Sequence, residues 1–179
     1  MSKDLTKLVD NIYKSLEPLA KGEAVSLSDK DIDKATDDIN QAIKQWARPS
    51  ERNKNFALRM SNVGRPARQL WFENKKPMES NITSSNQIKF LYGHILEAVA
   101  IMLAKMAGYN VTDEQKEVEV DGVKGHIDCK INGEVVDIKT ASRTSFDKFK
   151  KGTVAEDDPF GYLGQLSGYE KSEGTSEGG

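Results

Sequence analysis

The chain has 179 residues, 37% of them hydrophobic and 30% charged, with a formal net charge of −2. That is one domain with room for an appendage, apolar enough to bury a core and too near neutral for bulk charge to announce a nucleic-acid partner. No uninterrupted run of about 18 apolar residues occurs, and Met1 to Leu19 has no signal-peptide pattern, so a cytoplasmic location is expected. The single cysteine, Cys129, excludes an internal disulfide, a cysteine-based zinc site and an iron–sulfur cluster held by this chain.

Leu5, Leu8, Val9, Ile12, Leu16 and Leu19 recur at helical spacing and predict a helix over residues 4–20, which Lys21-Gly22 stops. A second helix is expected from Ser28, whose hydroxyl can cap it, with Asp31 in the favourable first turn. Its stripe is Ile32, Ala35, Ile39, Ile43 and Trp46, ending before Pro49. Residues 1–50 therefore read as an N-terminal helical segment ahead of a core over 51–171, and the stripes read as packing faces.

Between Lys44 and Lys76 stand nine basic residues against two acids, a local excess of +7. Such density suits a phosphate backbone, and equally a solvated face. Within it, Ser61, Gly64, Arg65 and Arg68 border a short helix expected over 66–73, with Pro66 at its first position. Arginines beside a helix N-terminus can hold a phosphate; the other reading is a surface loop anchored by Leu70 and Trp71.

The longest helix is expected from Ser85 to Ala107, with Gly108 past its end. Two stripes, Ile88, Leu91, Ile95, Val99, Met102, Met106 and Phe90, His94, Glu97, Ile101, Ala104, make it apolar nearly all round and predict that it is buried. Glu97 is then an anomaly, because a carboxylate on an apolar stripe must be paired, bound to metal or neutral. His94, three residues earlier on the same face, can ligate a metal or share a hydrogen bond with Glu97.

A strand over Glu117 to Val120 and a turn at Asp121-Gly122 lead to the most informative stretch, Gly125 to Thr140. Two alternating apolar runs flank Asn132-Gly133, the sequence of a two-residue type I′ hairpin. That turn pairs Ile131 with Glu134, Lys130 with Val135 and Cys129 with Val136, and so sets Asp128 opposite Asp137. The period of two adds Lys139 to that face, opposite His126, while Ile127, Cys129, Ile131, Val136 and Ile138 turn to the core. Opposed carboxylates repel unless a cation neutralises them, and Mg²⁺ takes carboxylate oxygens. The plainer reading is the solvated side of a half-exposed strand.

Residues 143–151 read as a basic loop with Phe146 and Phe149 interleaved, able to stack on bases or simply to be solvated. A last helix is expected from Asp158-Pro159, with Gly161, Gly164 and Gly168 on a nearly bare face that calls for close approach by backbone or ligand. Residues 172–179 have linker composition.

Four motifs in order, Gly93-His94-Ile95-Leu96-Glu97, Gly125-His126-Ile127-Asp128, Asp137-Ile138-Lys139-Thr140 and Gln165-Leu166-Ser167-Gly168-Tyr169, resemble the PD-(D/E)XK nuclease superfamily. Within it they most resemble RecB-like, phage-encoded exonucleases, over about residues 58–170. The resemblance implies an α/β (α+β) fold with a restriction-endonuclease-like core, a central mixed sheet flanked by helices. It implies DNA exonuclease activity with one or two Mg²⁺ or Mn²⁺ ions and no iron–sulfur cluster. Asp128, Asp137 and the Ile138 backbone carbonyl would hold metal, with Glu97 as the acidic residue of the first motif and His94 as a second candidate. Lys139 would orient or activate water, and Gln165 and Tyr169 would contact DNA beside the site. Ser61, Arg65, Arg68 and His126 are further candidate DNA contacts. Expected partners are DNA and a recombinase, helicase or single-strand-binding protein, with no membrane. The strand that usually follows the last motif is missing, so a C-terminally shortened form is expected, and the alternative is a DNA-binding module of the same fold without turnover.

Overall fold

The computed structural model describes residues 3–48, 56–75 and 82–174. These form helices and two small antiparallel sheets, an α+β architecture, in two compact units.

The first unit comprises Met1–Ser50, Ile82–Glu114 and Asp128–Ile138, so the N-terminal helices share it with the long helix and the hairpin. After a 3₁₀ turn, α1 runs Leu8–Ala20, ends at Lys21, and is followed by Gly22 at φ 76°. α2 (Asp29–Ala47) starts where expected: the Ser28 hydroxyl accepts the Asp31 N–H at 3.2 Å, satisfying a donor the helix leaves unpaired. Helix α5 (Ser84–Met106) is capped likewise by Thr83 and packs against both α1 and α2, with the Trp46 indole donating to the Gln87 carbonyl at 3.0 Å. By length and composition α5 is apolar enough to cross a membrane. Its buried face instead belongs to a protein core: Ile101, Ala104 and Ala107 join Tyr109, Cys129 and Ile131, with Leu5, Leu8, Ile12, Val111, Val136 and Ile138 packed around them.

The sheet of this unit has the order β1-β4-β5, from Val111–Thr112, Cys129–Ile131 and Glu134–Val136, all antiparallel. Asn132 at φ 56° and Gly133 at φ 94° make the left-handed turn of a type I′ hairpin, and the observed pairs are the expected Ile131↔Glu134, Lys130↔Val135 and Cys129↔Val136. β1 escaped the sequence reading because two residues are too few to show alternation.

The second unit comprises Glu51–Asn81, Gln115–Ile127 and Lys139–Gly179. It holds α3 (Met60–Val63), α4 (Ala67–Lys75), the hairpin of β2 (Glu117–Val120) and β3 (Val123–His126), α6 (Arg143–Lys151) and α7 (Tyr162–Ser172). Asp121 and Gly122, both at positive φ, make the expected turn. The bare face of α7 is explained by backbone: a Cβ on Gly164 would lie 2.6 Å from the Gly64 Cα, and one on Gly168 would lie 2.8 Å from the Met60 sulfur.

Several expectations are corrected. Residues 143–151 are a helix, not a loop, because Ser142 accepts the Ser145 N–H and Gly152 closes the other end at φ 69°. Helix α7 begins at Tyr162, four residues after Asp158, although Asp158 Oδ2 still accepts the Leu163 N–H at 2.9 Å. Pro66 precedes α4 instead of opening it, its carbonyl receiving the Gln69 and Leu70 N–H groups. α5 is not buried all round: Ile88, Phe90, Tyr92 and Leu96 are exposed, since within its unit α1, α2 and the sheet cover one side only. Where one mixed sheet was expected, the described residues form two antiparallel ones and a single parallel bridge, Arg59↔Lys124. Residues 49–55, 76–81 and 175–179, and with them parts of the expected basic loop and tail, lie outside the described residues.

Candidate functional site

The hairpin positions the acidic pair. The ladder ends at Cys129↔Val136, and Asp128 and Asp137 each stand one residue beyond that last observed pair. Both are half-buried, and the Ile138 N–H donates to Asp128 Oδ2 at 2.6 Å. A carboxylate that accepts a backbone N–H keeps its orientation. Regular pairing stops at Val136, so Asp137, Ile138 and Lys139 leave the sheet as an extension of β5 where the sequence alternation predicts more strand.

Beneath this pair lies Cys129, fully buried. Burial first, then the carboxylates of Asp128, Glu114 and Glu97, push its thiol up from 9.0 to about 12, against the opposing pull of Lys105. Glu97, from the middle of α5, belongs to the same unit as Asp128. Glu97 is half-buried and His94 exposed. Among the described residues no group of three or more His, Cys, Asp and Glu is arranged to hold a metal ion. The donor chemistry fits a hard divalent cation as two carboxylates and one backbone carbonyl, the small protein share that Mg²⁺ takes while keeping its waters.

Glu114 was missed by sequence reading. It ends the segment leaving β1, with Oε1 2.5 Å from Lys105 Nζ and Oε2 3.4 Å from Lys34 Nζ. Lys34 also pairs with Asp38 at 2.5 Å, and burial and these acids act on it in opposite directions, the acids prevailing to raise its pKa. Lys34, Lys105 and Glu114, together with Lys30, Asp31 and Tyr109, line an open polar recess of about 440 Å³. Lys34 was visible in the sequence, but its partner Glu114 lies 80 residues on, beyond any local pattern.

The other expected residues belong to the second unit. His126 ends β3, paired with Glu117, so it stands on the two-stranded sheet and not on the acidic hairpin; the break at Ile127-Asp128 separates the two strands. Lys139 is exposed, two residues after Asp137. Gln165 and Tyr169 are only 6% and 3% exposed, and the Gln165 amide donates to the Tyr169 hydroxyl at 2.9 Å. Tyr169 and Met60 also press on Gly125, where a Cβ would come within 2.9 Å of the tyrosine ring. Ser61 and Arg68 are exposed, Arg68 over the Phe72 ring at 5.8 Å, and Arg65 is half-buried 3.6 Å from Glu73.

Comparison with family models, with curated proteins and with solved structures returns no match.

Proposed function

We propose that the chain is a metal-dependent DNA exonuclease with a restriction-endonuclease-like core, hydrolysing phosphodiesters at DNA ends in phage recombination, replication or host-DNA degradation. The observation that supports this reading is the hairpin: its observed pairs follow the expected register, Asp128 and Asp137 stand one residue beyond the last of them, and the Ile138 amide donates to Asp128. Asp128, Asp137 and the Ile138 carbonyl would hold one or two Mg²⁺ or Mn²⁺ ions, with Glu97 and His94 as the candidates from α5. Bound there, the cation supplies Lewis-acid charge and lowers the pKa of water. Asp128, oriented by its backbone bond, would present oxygen to that charge. Lys139, a compact ammonium, would stabilise the negative charge on the phosphoryl and departing oxygens as the bond breaks. Ser61, Arg68 and His126, all exposed, are the positions for holding the backbone of DNA, with Arg65 beside them.

A DNA-binding module of the same fold without turnover is the second reading, favoured by one observation: Asp137 and Lys139 lie past the last paired residue of β5. End-labelled linear DNA and closed circular DNA, incubated with Mg²⁺, Mn²⁺ or EDTA, separate the two. The nuclease reading expects metal-dependent loss of linear DNA alone, reduced on the order of 100-fold or more in Lys139→Ala with DNA binding retained. Linear DNA that survives every metal, or a Lys139→Ala protein as active as the parent, contradicts it.

A further inference from the structure

The second unit carries a surface that the proposed chemistry does not use. Helix α6 turns Arg143, Phe146 and Lys150 to one face at spacings of three and four, with Phe149 adjoining. Phe146 is 58% exposed and Phe149 44%. The rings continue off the helix: Phe149 and Tyr162 have centroids 5.7 Å apart, and Tyr162 and Phe160 stack at 5.5 Å, with Phe160 55% exposed. Rings left this open lose the burial that would ordinarily stabilise them, and contiguous exposed apolar surface marks an interaction site. The crevice behind them holds only about 20 Å³, room for one water, so they offer an outward surface and no ligand hole.

Charge selects the occupant. The helix carries Arg143, Lys148, Lys150 and Lys151 against Asp147 alone. Of the acids that follow the helix, Asp157 forms an ion pair with Lys148 and Asp158 accepts the Leu163 amide, while Glu156 is exposed. We propose that this face of α6, with Phe160 and Tyr162, is a stacking platform for single-stranded DNA, the bases on the phenylalanine rings and the phosphates on Arg143 and Lys150. Aromatic faces interleaved with cations suit a strand whose bases are free to stack, and duplex DNA hides those faces. A membrane surface fits less well, because the helix has nine residues and sets Asp147 among its exposed cations. The inference rests on the nuclease reading only for what happens to the strand: it makes single-stranded ends the substrate class.

The test is fluorescence anisotropy in EDTA at low salt, using a labelled oligothymidine of about 20 nucleotides and a blunt duplex of equal length. Wild-type protein should bind the oligothymidine more tightly than the duplex. Phe146→Ala should weaken it about tenfold while Phe146→Trp keeps it, and Lys150→Ala should flatten the salt dependence. An exposed Phe146 leaves folding intact on truncation, which circular dichroism checks. Equal affinity for duplex, no loss in Phe146→Ala, or binding to anionic phosphatidylserine vesicles without binding to oligothymidine overturns the proposal. Binding through Phe146 in a protein that degrades nothing with Mg²⁺ sinks the nuclease reading and leaves the platform standing; turnover without such binding does the reverse.

Discussion

Cys129 reports on the carboxylates around it. With its thiol pushed up to about 12 by burial, Asp128, Glu114 and Glu97, the folded protein holds this proton where the unfolded chain, near 9.0, releases it. A folded pKa above the unfolded one contributes stability that is present below about 9 and lost as pH rises through about 12, since the folded state binds more protons across that window. Urea unfolding at a series of alkaline pH values should therefore show stability falling from about pH 9 upward, with that part of the slope absent in Cys129→Ala. Asp128→Asn removes the second-ranked cause, so the thiolate absorbance of the folded protein should emerge at lower pH than in wild type. An unchanged titration in Asp128→Asn would mean that the carboxylate does not act on the sulfur.

At the scale of elements, turns and caps were legible and tertiary choices were not. Asn132-Gly133 gave register, pairing and the buried face of the hairpin, because positive φ at two adjacent positions leaves few sequences and few turn types. Ser28 and Thr83 cap as short polar side chains do wherever a helix starts. The same rule could have found α6, where Ser142 and Gly152 bracket a nine-residue amphipathic stretch, but the density of charge read as loop. Gly161, Gly164 and Gly168 announced a close approach without naming the partner, since Gly64 and Met60 are distant in sequence. His126 shows the limit of strand periodicity: alternation ran on unbroken through Ile127 and Asp128, where the chain leaves one sheet for another. Gly164→Ala tests the α7 contact. Alanine is the better helix former by about 1 kcal/mol, yet its Cβ would meet backbone at 2.6 Å, so a net loss of about 1–3 kcal/mol is expected in denaturant unfolding. Gly133→Ala meets open space but sits at φ 94°, and should cost about 1–2 kcal/mol through conformation alone.

For the whole molecule, the units divide the chain in the middle of the motif, after Ile127 and again after Ile138, so Asp128, Asp137, Ile138 and Glu97 belong to one unit and Lys139 to the other. That division makes the acidic pair the part of the proposed site that stands by itself, and the metal the quantity to measure without any demand on turnover. Mn²⁺ binding should be titrated by electron paramagnetic resonance in wild type, Asp128→Asn, Asp137→Asn and the double variant. If the two carboxylates share an ion, each single substitution weakens Mn²⁺ at least tenfold and the double variant loses little more than either alone, the non-additivity of groups acting on one ligand. Mn²⁺ bound equally by wild type and the double variant would contradict a shared ion at Asp128 and Asp137.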